Sequence, residues 1–244
     1  MRDQMVLLAR FTLSLCILTL TALAMLAVAT ATLFQCRRFY SERIATPFGH
    51  LILRVWGIRM VVHRAAPFPP RQAVFISNHT STIDLFALVA LGLPNARFFL
   101  SGFLRKLLPL GLIGYLIGIF WTVPQEYPEQ RRRIFERAER VLRRTGESVY
   151  LSPEGVRVTT GEIGHFNKGA FHLATALRAP IVPLFIHIPT AIDPGMGWNA
   201  RPGTVEVHVR PAIETADWRL DELIANKERV RDFYVHWKRE LDAG

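Results

Sequence analysis

The stretch AVFISNHTSTIDLFALVAL, residues 73–91, decides how the chain folds. It opens with the apolar run Ala73–Ser77, crosses the polar loop that starts at Asn78, and ends in a second apolar run, Leu85–Leu91. A short apolar run bounded by polar residues reads as a covered strand. The run behind Ser81 and Thr82, two residues of a type that caps helices, predicts a helix over Ile83–Leu91. Strand, tight loop and helix in that order form the repeating unit of an α/β fold.

The same alternation extends outward. Strand-like runs lie at Val55–His63, Ala96–Ser101, Gly118–Val123, Ser148–Ser152, Ile181–Ile188 and Thr204–Arg210. Helical patterns lie at Phe103–Leu116, Glu129–Arg144, Lys168–Leu177 and Trp218–Leu241. With Ala73–Ser77 this predicts an α/β domain with a mostly parallel sheet of about seven strands, covered by helices. Pro183 has no N–H to give a ladder, so Ile181–Ile188 is expected at a sheet edge or strand end. The uncharged segment Leu107–Val123 is shorter than a comfortable membrane span and carries Pro109, Gly111, Gly114 and Gly118. It reads as a buried helix running into a buried strand. No boundary interrupts residues 41–244, which form one domain behind an N-terminal membrane anchor, residues 1–40.

That anchor rests on Phe11–Cys36, which contains no charged residue. At about 1.5 Å per residue it reaches roughly 39 Å, beyond the ~30 Å hydrocarbon core of a bilayer. Arg37, Arg38, Arg43 and Arg54 follow closely. Positive charge marks the cytoplasmic side, so the expectation is a cytoplasmic (inner) membrane protein whose domain behind the anchor faces the cytoplasm. The run is too long, and too quickly followed by arginine, for a cleaved signal peptide. A full span and a tilted helix in one leaflet fit the sequence alike. Ser41–Leu53 adds an amphipathic helix suited to a membrane surface. A net charge of +10, a pI near 10.4 and a mean hydropathy of +0.19 point the basic surface at anionic membrane lipid. Nucleic acid is not an expected partner, because the arginines crowd beside an apolar anchor and no recognition motif is present. Cys16 and Cys36 both lie in the apolar run and offer neither a disulfide framework nor zinc spacing.

Two segments carry chemistry. His79 and Asp84 would not share a face if both were helical, since five positions turn a helix by roughly 500°. With His79 in the loop and Asp84 in the first helical turn, the carboxylate can hold one ring nitrogen. The other is then free to take a proton from an alcohol. The helix dipole favours a carboxylate there. Taken alone the pair is weak, since a chain with 8 histidines in 244 residues meets this spacing by chance about a quarter of the time. The second segment is Ser152-Pro153-Glu154-Gly155-Val156-Arg157, followed by Phe166-Asn167-Lys168-Gly169. Gly155 permits a tight loop, Arg157 offers a fork for phosphate, and Lys168 adds a cation near a helix start. Arg131, Arg132 and Arg133 open an arginine-rich helix. It reads either as a solvated face or as a contact for anionic lipid or for the phosphates of a bound ligand. The remaining histidines, His50, His63, His165, His172, His187, His208 and His236, show no ligand spacing such as H-E-x-x-H, and no metal is expected. No G-x-S-x-G elbow occurs, which argues against a serine lipase.

Taken in order, the Asn78-His79-x4-Asp84 motif, the Pro153-Glu154-Gly155-x-Arg157 loop, the Phe166-x-Lys168-Gly169 segment and the apolar block with Pro183 resemble the glycerolipid acyltransferase family over residues 73–186. The resemblance implies that His79 is the general base on a lysolipid hydroxyl and Asp84 its orienting partner. It implies direct transfer from acyl-CoA or acyl carrier protein, used as co-substrate, with no acyl-enzyme, metal or bound cofactor. Asn78, Glu154, Gly155, Arg157 and Lys168 would bind the acceptor, with Arg157 on its phosphate. One motif departs. Where the family usually has a basic residue on the acceptor phosphate, this chain reads Thr122-Val123. Either Arg131, Arg132 and Arg133 supply that charge to 1-acylglycerol-3-phosphate, or the acceptor is another lysolipid, such as lyso-ornithine lipid.

Overall fold

A computed structural model describes residues 2–195 and 199–243. Its centre is a seven-stranded sheet in the order β1-β7-β6-β2-β5-β3-β4. The strands are β1 (Ile58–Arg64), β2 (Val74–Ser77), β3 (Ala96–Ser101), β4 (Phe120–Thr122), β5 (Ser148–Leu151), β6 (Ile181–His187) and β7 (Gly203–Val209). Each pairing is parallel except that between β6 and β7. Strands β2 and β5 are buried along their whole length, and β6 in all but its last residue, so they read as unbroken apolar runs.

The helices are α1 (Arg2–Ala31), α2 (Arg37–Phe39), α3 (Thr46–Val55), α4 (Ile83–Leu91), α5 (Leu108–Ile117), α6 (Pro128–Thr145), α7 (Gly169–Leu177) and α8 (Leu223–Ala243). A π-helical stretch, Tyr40–Ala45, joins α2 to α3. Alternation along the strands sorts their side chains onto two faces. One face, with Phe75, Val182, Leu184, Val205 and Val207, packs under α4 and α3, with Ile17 of α1 reaching the same cluster. The other, with Val74, Ile76, Val149 and Phe185, packs under α6, α7 and α8 through Leu142, Phe171, Tyr234 and Trp237.

Two expectations need correction. Strand β6 is neither an edge nor a strand end, for it lies between β7 and β2 with Pro183 inside it. Pro183 O accepts from Arg210 N at 3.2 Å, one residue past the end of β7. The two backbone groups of a strand residue point the same way, so the missing N–H faces a side where the neighbouring strand has already ended. The Phe103–Leu116 helix is split by a 3₁₀ turn at Leu104–Lys106, and Leu107 is extended as the N-cap of α5, with Pro109 in the first turn. α5 is buried on one side only, leaving Leu108 and Tyr115 exposed. The long helix α1 ends at Ala31, and it does not stand apart from the domain. Met25 and Ala29 are fully buried against α5, and Ser14 Oγ accepts from the Trp56 indole N–H at 3.0 Å.

Candidate active site

Strands β2 and β5 are parallel neighbours, with Ile76 level with Leu151. The chain leaves β2 for α4 on one face of the sheet and leaves β5 for α7 on the other. Loops that diverge in this way open a crevice at the carboxyl ends of the strands, where open α/β sheets place their ligands. Both chemistry-bearing segments lie here.

His79 sits in the β2–α4 loop and Asp84 in the first turn of α4. Asp84 Oδ2 lies 2.8 Å from His79 Nδ1 and accepts the N–H groups of Thr80 at 2.8 Å and Ser81 at 3.0 Å. The carboxylate is buried, whereas the His79 side chain keeps about a third of its surface. Asp84 Oδ1 is also buried and has no hydrogen-bond partner among the described residues. Of the two residues expected to cap α4, Ser81 does so, its Oγ accepting from Ile83 N at 2.9 Å and donating to Asp193, while Thr82 makes no side-chain cap.

The loop after β5 clamps His79 from both backbone sides. Glu154 Oε2 accepts from His79 N at 2.7 Å, and Val158 N donates to His79 O at 2.8 Å. Glu154 is buried, and its other oxygen accepts from Gly164 N at 2.8 Å. Burial raises its carboxyl pKa above the usual range, against the pull of those two N–H donors. Gly155 has φ +69°, and a Cβ there would come within 2.8 Å of Asn167 Nδ2. Asn167 uses that nitrogen on Pro153 O and Glu154 O at 3.1 and 2.8 Å. It holds the turn, a role the sequence reading did not give it although it lies inside the motif.

His79, Asp84, Gly155 and Arg157 line one cavity of about 400 Å³ with Thr122, Arg131, Phe135 and Ser152. Arg157 reaches across it, donating to Thr82 Oγ1 at 2.6 Å and to Gly195 O at 2.9 Å. Of the three adjacent arginines only Arg131 belongs to the wall, where its Nη1 donates to Val123 O at 3.2 Å. Arg132 turns away to Glu129 and Glu136, and Arg133 is exposed. Lys168, the residue before α7, is exposed and outside the wall. Asn78 and Glu154 are not in the wall either. Asn78 exchanges two hydrogen bonds with the backbone of Ile186, at 2.9 and 2.8 Å, and so fixes where the loop leaves the sheet. A second, apolar cavity of about 580 Å³ adjoins the first, sharing Thr82, Phe86, Phe103 and Leu110. Phe11, Leu15 and Leu18 of α1 form its far side.

A sequence model of the family described as Acyltransferase matches residues 59–187. A 1-acyl-sn-glycerol-3-phosphate acyltransferase of Limnanthes douglasii is 26% identical over 212 residues, covering 79% of this chain and 69% of the relative. The human enzyme of that name, alpha form, is 30% identical over 191 residues, covering 77% of this chain and 66% of its own. Among solved structures, that of the 1-acyl-sn-glycerophosphate acyltransferase PlsC from Thermotoga maritima superposes with a TM-score of 0.77 over 96% of each chain. At 20% identity this is a likeness of fold, including the mostly parallel seven-stranded sheet.

Proposed function

The chain belongs to the acyltransferase family, and from that premise we propose that it is a membrane-bound lysophospholipid O-acyltransferase that converts 1-acylglycerol-3-phosphate to phosphatidate. The observation that carries this reading is the His79–Asp84 pair, with Asp84 fastened at 2.8 Å to Nδ1 and the ring set in the cavity wall. Nε2 of His79 takes the proton of the acceptor hydroxyl as its oxygen attacks the thioester carbonyl of acyl-CoA or acyl carrier protein. The new ester bond forms, the carbon–sulfur bond breaks, and the thiolate leaves with that proton. Asp84 holds the ring and balances the imidazolium charge meanwhile. No metal or bound cofactor has a step in this chemistry.

Arg157 and Arg131 face the same cavity and supply the cations for an acceptor phosphate, which supports lysophosphatidate despite Thr122-Val123. The adjoining apolar cavity offers room for an acyl chain beside the reacting centre. Attachment is through α1 in one leaflet: one side packs on α3 and α5, and the other exposes Leu8, Leu13, Leu20 and Leu23. The basic surface then meets anionic lipid on the cytoplasmic side of the inner membrane. The test is to purify the protein and its His79→Ala variant in detergent and supply lysophosphatidate with an acyl donor. A phosphatidate product that depends on His79 is expected. Near-normal turnover by a folded His79→Ala protein would overturn the mechanism, and a product formed only from another lysolipid would overturn the acceptor.

A further inference from the structure

Beyond the crevice, a second group of chemistry-bearing side chains assembles at the β1 edge of the sheet. Strands β1 and β7 are parallel with His63 level with His208, and Glu206 lies two residues before His208 on the same face. His63 Nε2 lies 3.1 Å and His208 Nε2 3.3 Å from Glu206 Oε2, and one donor atom from each of the three residues falls within 4.8 Å of the other two. The two imidazoles stack at 4.6 Å, 16° from parallel. His208 Nε2 is buried and, despite its nearness to Glu206, makes no hydrogen bond among the described residues. His63 and Glu206 remain about half open to solvent, which gives an ion a way in.

We propose that His63, Glu206 and His208 form a binding site for a divalent transition-metal ion of the zinc class. Two imidazoles and one carboxylate are a recognised zinc ligand set, and water completes the tetrahedron. With bonds of about 2.0–2.2 Å, a tetrahedral ion holds its donors roughly 3.3 Å apart, which is the separation of each histidine nitrogen from the shared carboxylate oxygen here. Turning the exposed His63 ring closes the remaining histidine–histidine gap. Calcium and magnesium demand oxygen ligands and are not expected to compete. Because β1 is an edge strand whose one partner is β7, the ion would fasten that edge to the sheet. No local spacing announces this site, since two of its ligands stand on β7 and the third on β1, far earlier in the chain.

Isothermal titration of the full chain, without a histidine tag, in detergent and after chelator treatment, tests the proposal with zinc chloride as the probe. One equivalent bound per chain is expected, with a rise in melting temperature and the strong visible absorption of a tetrahedral site when cobalt(II) replaces zinc. His63→Ala should weaken binding by at least about 100-fold, since even indirect partners of metal ligands are worth about 10–100-fold. His63 is exposed on an edge strand, so this variant is expected to keep its circular dichroism spectrum. Glu206→Gln should weaken binding as well. Absence of stoichiometric zinc binding by the wild type, or binding of equal strength in His63→Ala, would sink the assignment, as would equal competition by magnesium.

Discussion

On one face of the sheet, α7, α8 and the segment before α7 close over Ile76 and Phe185; their Phe166, Phe171, Tyr234 and Trp237 are each no more than 2% exposed. On the other face, α1, α3, α4 and α5 enclose apolar cavities and leave Leu8, Leu20, Leu108 and Tyr115 more than half exposed. The first face is filled as a soluble domain is filled. The second keeps space inside and apolar surface outside, an arrangement that lipid satisfies and water does not. His79 and Asp84 stand at the mouth between the two, on the β2–α4 loop and the first turn of α4.

His79→Ala should give the largest effect on activity, a loss of about 10²–10⁴-fold or more, with little change in melting temperature. Trp237→Ala on the filled face should do the reverse. A cavity there costs about 3–5 kcal/mol of stability, while vesicle binding by the folded fraction should be unchanged. If Trp237→Ala instead releases the protein from vesicles, the two faces are not separable. Leu8→Glu and Leu20→Glu on the open face should each weaken vesicle binding by about 1.5–3 kcal/mol, read by flotation, with the fold kept. Point changes serve better than deletion of α1, which would also strip Met25 and the cover of Trp56 from the interior.

Inside the crevice, Arg157→Ala should raise the Michaelis constant for lysophosphatidate by about 1.5–3 kcal/mol, or roughly tenfold to a hundredfold. Val123→Arg should lower it, if the cation missing there is a phosphate contact. Turnover of lysophosphatidate insensitive to Arg157→Ala would contradict the clamp, and efficient use of lyso-ornithine lipid alone would replace the acceptor. The smallest effect concerns pH. The Glu154 carboxyl pKa is raised above its ordinary 4.5 by burial, so its contribution to stability is present at low pH and declines as pH rises through the raised value. Melting curves from about pH 4 to 8 should show the wild type losing stability relative to Glu154→Gln as pH rises. Parallel curves would show that burial of this carboxyl is not felt.

Much of this was legible because covered strands leave continuous apolar blocks in the chain. Ala96–Ser101 is the strand at those bounds, and Thr204–Arg210 is displaced by one residue from Gly203–Val209. The antiparallel seam between β6 and β7 left no local mark, since strand direction is decided by connections rather than by composition. Within the site, residue types were readable but their targets were not. Asn78 and Glu154 are polar groups in motif loops, and each meets its partner across the sheet, Ile186 for one and the His79 backbone for the other. Arg131 parts from Arg132 and Arg133 because each helical step turns a side chain by about 100°. Only the packing of α6 decides which of the three faces inward.

The hydroxyl of Tyr234 bears on the order in which the chain is made. It lies 2.9 Å from the carbonyls of both Ile76 and Leu184, offering its single proton between them, and accepts from Leu184 N at 3.1 Å. A residue in the middle of α8, the last helix, thus completes the seam between β2 and β6. Likewise β1, translated early, finds its ladder partner only when β7 emerges. Long-range closure of this kind is slow, and it leaves strand edges open while they wait. By the time Tyr234 leaves the ribosome, α1 has long been available to the bilayer. On the proposed attachment through α1, the chain would be tethered at a surface before the sheet is whole, and would complete its fold there rather than in free solution.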